Sequence, residues 1–85
     1  MSQKFTLSFT ADGAQSHDCG TESNVIIEGG FGGGTVTHTM TGTTTAIRTG
    51  STAAASYLCE IYDSTFTVTG STAPTITVTI EPKLK

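Results

Sequence analysis

The stretch Thr75-Ile76-Thr77-Val78-Thr79-Ile80 decides the fold. Apolar and hydroxyl side chains alternate without a break, and that period of two matches the pleat of a β-strand with one buried and one wet face. Threonine suits both demands, because its branched Cβ fits the pleated surface and its hydroxyl holds water. The same pattern recurs upstream. Phe66 and Val68 alternate with Thr65, Thr67 and Thr69; Val36, His38 and Met40 alternate with Thr35, Thr37, Thr39 and Thr41; Phe5, Leu7 and Phe9 alternate with Lys4, Thr6, Ser8 and Thr10. Val25-Ile26-Ile27 and Ala46-Ile47-Arg48 are shorter runs of the same kind.

Between these runs lie turn signals at Asp12-Gly13, Gly29-Gly30, Gly32-Gly33-Gly34, Gly42, Gly50 and Gly70 through Pro74. The pattern predicts an all-β fold, a small antiparallel sandwich or barrel of about six or seven short strands. Thr69 and Thr75 bracket the loop Gly70–Pro74, a length that suits a hairpin between the last two strands. The predicted inward set is Phe5, Leu7, Phe9, Val36, Met40, Phe66, Val68, Ile76, Val78 and Ile80. Residues 51–62 read two ways. Ala53, Ala54, Tyr57, Leu58 and Ile61 have helical spacing behind a Ser51 cap, whereas Ala53, Ala55, Tyr57, Cys59 and Ile61 share one face of a strand.

The 85 residues make one domain, 1–85, with no linker and no fixed repeat. The tail at 81–85 is expected to leave the sheet, because Pro82 cannot donate to a ladder. A chain this short buries only about 60% of its unfolded surface, so its own core is small. Charged residues are 13% of the chain and the net charge is −3, from four cations and seven carboxylates. Lys4, Arg48, Lys83 and Lys85 are too few and too scattered to neutralise a phosphate backbone, so no nucleic-acid partner is expected. No run approaches the ~18 apolar residues of a membrane span, and Met1–Phe5 has no apolar leader. A surface so poor in Lys and Glu tolerates close packing against neighbours.

Candidate sites are weak. The glycine run 29–34 lacks the Gly-Lys-Ser/Thr of a phosphate loop, and no helical pattern follows it. Its single aromatic, Phe31, packs into this domain or into a neighbour. His17, Cys19, His38 and Cys59 complete a Cys2His2 set by count, but their spacing is not that of a zinc site. Two core thiols are expected, with a Cys19–Cys59 disulfide as the alternative. Asp12, Asp18 and Glu22, in what reads as an acidic loop, lack the calcium-loop pattern. No serine sits in a G-x-S-x-G context. The Thr-x-Thr ranks are similar to those of insect antifreeze proteins, without their repeats or cysteines. No catalytic, cofactor or metal residues are predicted.

In layout the chain resembles the small accessory proteins of tailed-bacteriophage virions, especially capsid decoration (cement) proteins and head-fibre bases. The points of similarity are the Met1 start without a leader, the short Thr/Gly/Ser-rich strands, the low charge and the poverty of lysine. The resemblance is compositional and spans the whole chain. It implies a non-enzymatic protein, made in the host cytoplasm and resident in the virion. Such a protein binds capsid or other virion subunits and also itself as a homo-oligomer. The expected contact residues are Phe31, Lys4, Phe5, Pro82 and Leu84. The alternative is a carbohydrate-binding or adhesin-like module that displays Phe31, Tyr57 and Tyr62.

Overall fold

The computed structural model describes residues 5–18, 22–42, 46–59 and 63–82, and alternation of Thr with Val, Ile and Phe produces eight strands among these described residues. They are β1 (Phe5–Phe9), β2 (Gly13–Asp18), β3 (Ser23–Gly30), β4 (Thr35–Met40), β5 (Ala46–Ser51), β6 (Ala55–Cys59), β7 (Asp63–Thr69) and β8 (Thr75–Pro82). No helix occurs among the described residues. One sheet has the order β1-β8-β3-β6 and the other β2-β7-β4-β5, with every pairing antiparallel. Among the described strands only β4 and β5 are sequential neighbours within a sheet; the other consecutive pairs lie in opposite sheets. This order is that of a jelly roll, the eight-stranded double Greek key.

The core lies between the sheets. From the first sheet come Phe9, Val25, Ile27, Cys59, Ile76, Val78 and Ile80; from the second come Val36, His38, Phe66 and Val68. Ile76, Val78 and Ile80 pair with Phe9, Leu7 and Phe5 on one side and with Gly29, Ile27 and Val25 on the other. β8 is thus an interior strand whose whole apolar face is covered, which is why its alternation is the cleanest in the chain.

Several expectations are corrected by this topology. The hairpin expected across Gly70–Pro74 does not form, because β7 and β8 belong to opposite sheets. The loop instead spans the ~10 Å between sheets, with Gly70 at φ 69° and Ala73 at φ 47°. The helical reading of 51–62 fails where it is described: Ser51 ends β5, and Ala55–Cys59 is strand β6. Residues 60–62 lie outside the described set. The chain from Asp12 to Glu22 is not simply an acidic loop, because Gly13–Asp18 pairs with β7. Nor does the tail begin at residue 81, since Glu81 and Pro82 pair with Asn24 and Ser23. Proline is tolerated at a strand end, where the missing N–H costs little and the carbonyl still accepts.

The expected core also needs amendment. Phe5 is 42% exposed, and Leu7 and Met40 are only half-buried. All three have inward parity but sit where cover runs out: Phe5 and Leu7 on the edge strand β1, and Met40 at the end of β4.

One end of the sandwich is locked by three turns. Gly32 and Gly33 have φ of 59° and 78°, a type I′ turn closed by the Gly34 N–H donating to the Phe31 carbonyl at 2.9 Å. The Thr72 N–H donates to the Gly32 carbonyl at 2.9 Å. A Cβ at Gly29 or Gly32 would collide with the backbone oxygens of Thr75 and Thr72 respectively. On the other side, the Asp12 carboxylate accepts the Ser71 hydroxyl, together with the N–H groups of Ser71 at 2.9 Å and Gly70 at 3.0 Å. These bonds, the Ser71 hydroxyl first among them, hold the Asp12 carboxyl below its ordinary value.

Candidate interaction surfaces

The outer face of the second sheet is a threonine lattice. β4 and β7 are interior neighbours, and their register sets Thr35 beside Thr69, Thr37 beside Thr67 and Thr39 beside Thr65. The hydroxyls couple across strands: Thr35 with Thr69 at 3.0 Å, Thr65 with Ser16 at 2.8 Å, and Thr41 with Thr65 at 2.9 Å. Thr41 also donates to Asp63 at 2.9 Å. With these hydroxyls coupled across strands and the Asp63 carboxylate at one end, the residues form a hydroxyl-rich polar surface with no cation among them.

The outer face of the first sheet is less uniform. Thr75, Thr77 and Thr79 lie outward on β8. Beside them Ile26 on β3 is half-buried, while Leu58 on edge strand β6 is 44% exposed. The register places Leu58 opposite Asn24 and Ser56 opposite Ile26, so Leu58 and Ile26 form a small diagonal apolar spot.

Inside the sandwich, His38 is fully buried and stacks on Phe66 with ring centroids 3.9 Å apart and planes at 16°. Its Nδ1 shares a 2.7 Å hydrogen bond with the Tyr57 hydroxyl, which comes from the opposite sheet. Its Nε2 is buried without a hydrogen-bond partner. Burial lowers its pKa from 6.5 to about 4. The Arg48 guanidinium lies 5.1 Å from the Tyr57 ring centroid and donates through Nε to Ser51 at 3.0 Å. The result is a polar bridge between sheets. The alternation of His38 with Val36 and Met40 hinted at its buried member but did not identify the partner.

The described contact residues divide between two places: Phe5 pairs with Ile80, two residues from Pro82 on β8, whereas Phe31 lies in the turn between β3 and β4. Phe31 is only 9% exposed and belongs to this chain's own core, which settles its packing in favour of the domain. Phe5 remains on the surface, with its ring 4.6 Å from that of His17. Pro82 ends β8. Lys4, Leu84, Cys19 and Tyr62 lie outside the described residues. Cys59 is buried in the core. Among the described residues no group of three His, Cys, Asp or Glu is placed to hold a metal. A hollow of about 210 Å³ is lined by Ser8 through Gln15 at the β1–β2 turn, below the roughly 300–1,000 Å³ of small-molecule pockets. Gln15 reaches from β2 to donate to the Ser8 carbonyl at 2.7 Å. No protein family, curated protein or solved structure matches this chain.

Proposed function

We propose that this chain is a non-enzymatic structural protein of a virus particle, a capsid decoration (cement) protein of the tailed-phage type. It binds capsid subunits and also itself. The observation that carries the reading is the jelly-roll strand order in a chain whose second sheet presents a threonine-rich outer face. Jelly rolls serve in viral shells and in lectins, so the architecture supports the class by analogy. The surface chemistry favours the first use over the second. A glycan module displays aromatics, but here Phe31 is buried and Tyr57 is half-buried and bonded to His38. A threonine-rich face with few charges suits protein contact, because little charge must be stripped of water when the face is covered.

The test is co-sedimentation of the purified protein with candidate capsid shells, alongside a panel of immobilised glycans. Saturable binding to shells and none to glycans is expected. Glycan binding with no shell binding would reverse the reading.

A further inference from the structure

We propose that two copies of this chain pair through β1 in antiparallel fashion, with the two-fold axis at Leu7, and so join their first sheets into one continuous sheet. This deepens the self-association half of the proposed function and rests on it.

The argument begins with the direction of the backbone. β1 is an edge strand whose described strand partner is β8. The Ser8 carbonyl accepts the Gln15 side chain from β2, in the other sheet, so it faces away from β8 and toward the open edge. The backbone groups of successive residues in an antiparallel strand point alternately to either side. Those of Thr6 therefore also face outward, while those of Phe5, Leu7 and Phe9 face β8.

The sequence then selects the register. Phe5-Thr6-Leu7-Ser8-Phe9 reads alike in both directions, as aromatic, hydroxyl, leucine, hydroxyl, aromatic. A two-fold interface requires this kind of self-complementarity, since residue i meets j wherever j meets i. With the axis on Leu7, Thr6 of each copy stands opposite Ser8 of the other. That is the pair whose N–H and C=O groups face outward, so both hydrogen bonds of the pair form, twice over. Leu7 meets its own equivalent in the closer, non-hydrogen-bonded position. Phe5, now 42% exposed, meets Phe9 of the second copy. The Ser8 carbonyl has a second lone pair, so Gln15 does not block the bond.

The other edges lack this fit. β5 carries Arg48 and two register shifts against β4, devices that discourage strand addition. β2 ends at Asp18. On β6, a two-fold at Tyr57 would set Ser56 against Leu58, a hydroxyl against an apolar side chain. β1 combines an uncharged, proline-free and unbulged edge with a palindromic pattern.

The experiment is sedimentation of the full chain across a concentration series up to the millimolar range, with two kinds of variant. Thr6→Pro removes only an outward N–H and leaves the β8 ladder intact. It should weaken dimerisation by roughly tenfold or more, because two intermolecular hydrogen bonds go with it, while circular dichroism stays unchanged. Leu7→Cys should form a disulfide-linked dimer under mild oxidation, whereas Thr6→Cys and wild type should not. Three results would each overturn the proposal: a wild type that stays monomeric, a Thr6→Pro dimer as tight as wild type, or cross-linking of the Thr6→Cys variant with none of the Leu7→Cys variant. Shell binding by a monomeric wild type would overturn this inference and leave the proposed function standing. A β1 dimer that ignores shells and binds glycans would do the reverse.

Discussion

Acid should weaken this fold in a window set by one side chain, His38. The folded chain holds its imidazole neutral, stacked on Phe66, with pKa lowered from 6.5 to about 4 by burial. Between those two values the unfolded chain binds a proton that the folded chain does not, so stability falls as pH falls. The difference is worth about 3 kcal/mol between pH 7 and pH 4, and most of it is lost by pH 4. An 85-residue domain has roughly 4–13 kcal/mol in all, so the loss is a large share. The assay is urea unfolding at several pH values, with the midpoint moving and the slope constant. A His38→Phe/Tyr57→Phe double variant removes the titrating group and leaves no orphan hydroxyl, so its stability should be flat across that window. Equal pH dependence in wild type and double variant would refute the reasoning, since it would mean that His38 gives up no protonation free energy on folding.

Three further outcomes follow from the packing. Phe66→Ala, at a fully buried site, should cost about 3–5 kcal/mol by urea unfolding; a midpoint within error of wild type would place that ring outside the core. Gly29→Ala should abolish or severely weaken folding, because its Cβ meets the Thr75 backbone at a φ of 113°; a well-folded variant by circular dichroism would contradict the close approach of β3 to β8. Asp12→Asn should weaken the fold at neutral pH and flatten the stability loss that wild type shows below about pH 4. Asp12 is the carboxyl held low by Ser71 and Gly70, so its contribution is present above its ordinary value of 3.8 and lost as pH falls below it. An Asp12→Asn variant that keeps the wild-type acid limb would remove Asp12 from that role.

The interior strands were legible in the sequence because both of their neighbours are strands and their inner faces are covered everywhere but at the Met40 end of β4. For Thr35–Met40, Asp63–Thr69 and Thr75–Pro82, parity alone separates Val36, Phe66, Val68, Ile76, Val78 and Ile80 from the threonines. Parity says less at an edge, where Phe5 points inward yet stays 42% exposed, its ring 4.6 Å from that of His17. Gly13–Asp18 was illegible as a strand because it carries no large apolar residue. It is held by backbone pairing to β7 and by hydroxyl and amide contacts. The Gly70–Pro74 loop has the composition of a hairpin turn, and nothing local reveals that Asp12 and Gly32 hold it across the two sheets. Phe31 was ambiguous for the same reason, since the cover for its ring comes from residues distant in sequence.

The site was harder to read than the fold. A face made of hydroxyls has no signature distinct from any half-exposed Thr-rich strand. What distinguishes this one is register: Thr35 with Thr69, Thr37 with Thr67 and Thr39 with Thr65. That alignment depends on long-range pairing between strands that no local pattern encodes. The same holds for the palindrome Phe5–Phe9, which becomes meaningful only once β1 is known to be an edge.

The central claim is that the chain acts by covering and reinforcing a protein shell. A ligand that binds only the assembled form raises its melting temperature by mass action. The decisive measurement is therefore the thermal disruption temperature of candidate capsid shells titrated with the protein. The account predicts a rise that saturates at a fixed ratio of this chain to the capsid subunit. A disruption temperature unchanged at saturating protein, with no shell-bound chain in the pellet, would contradict it.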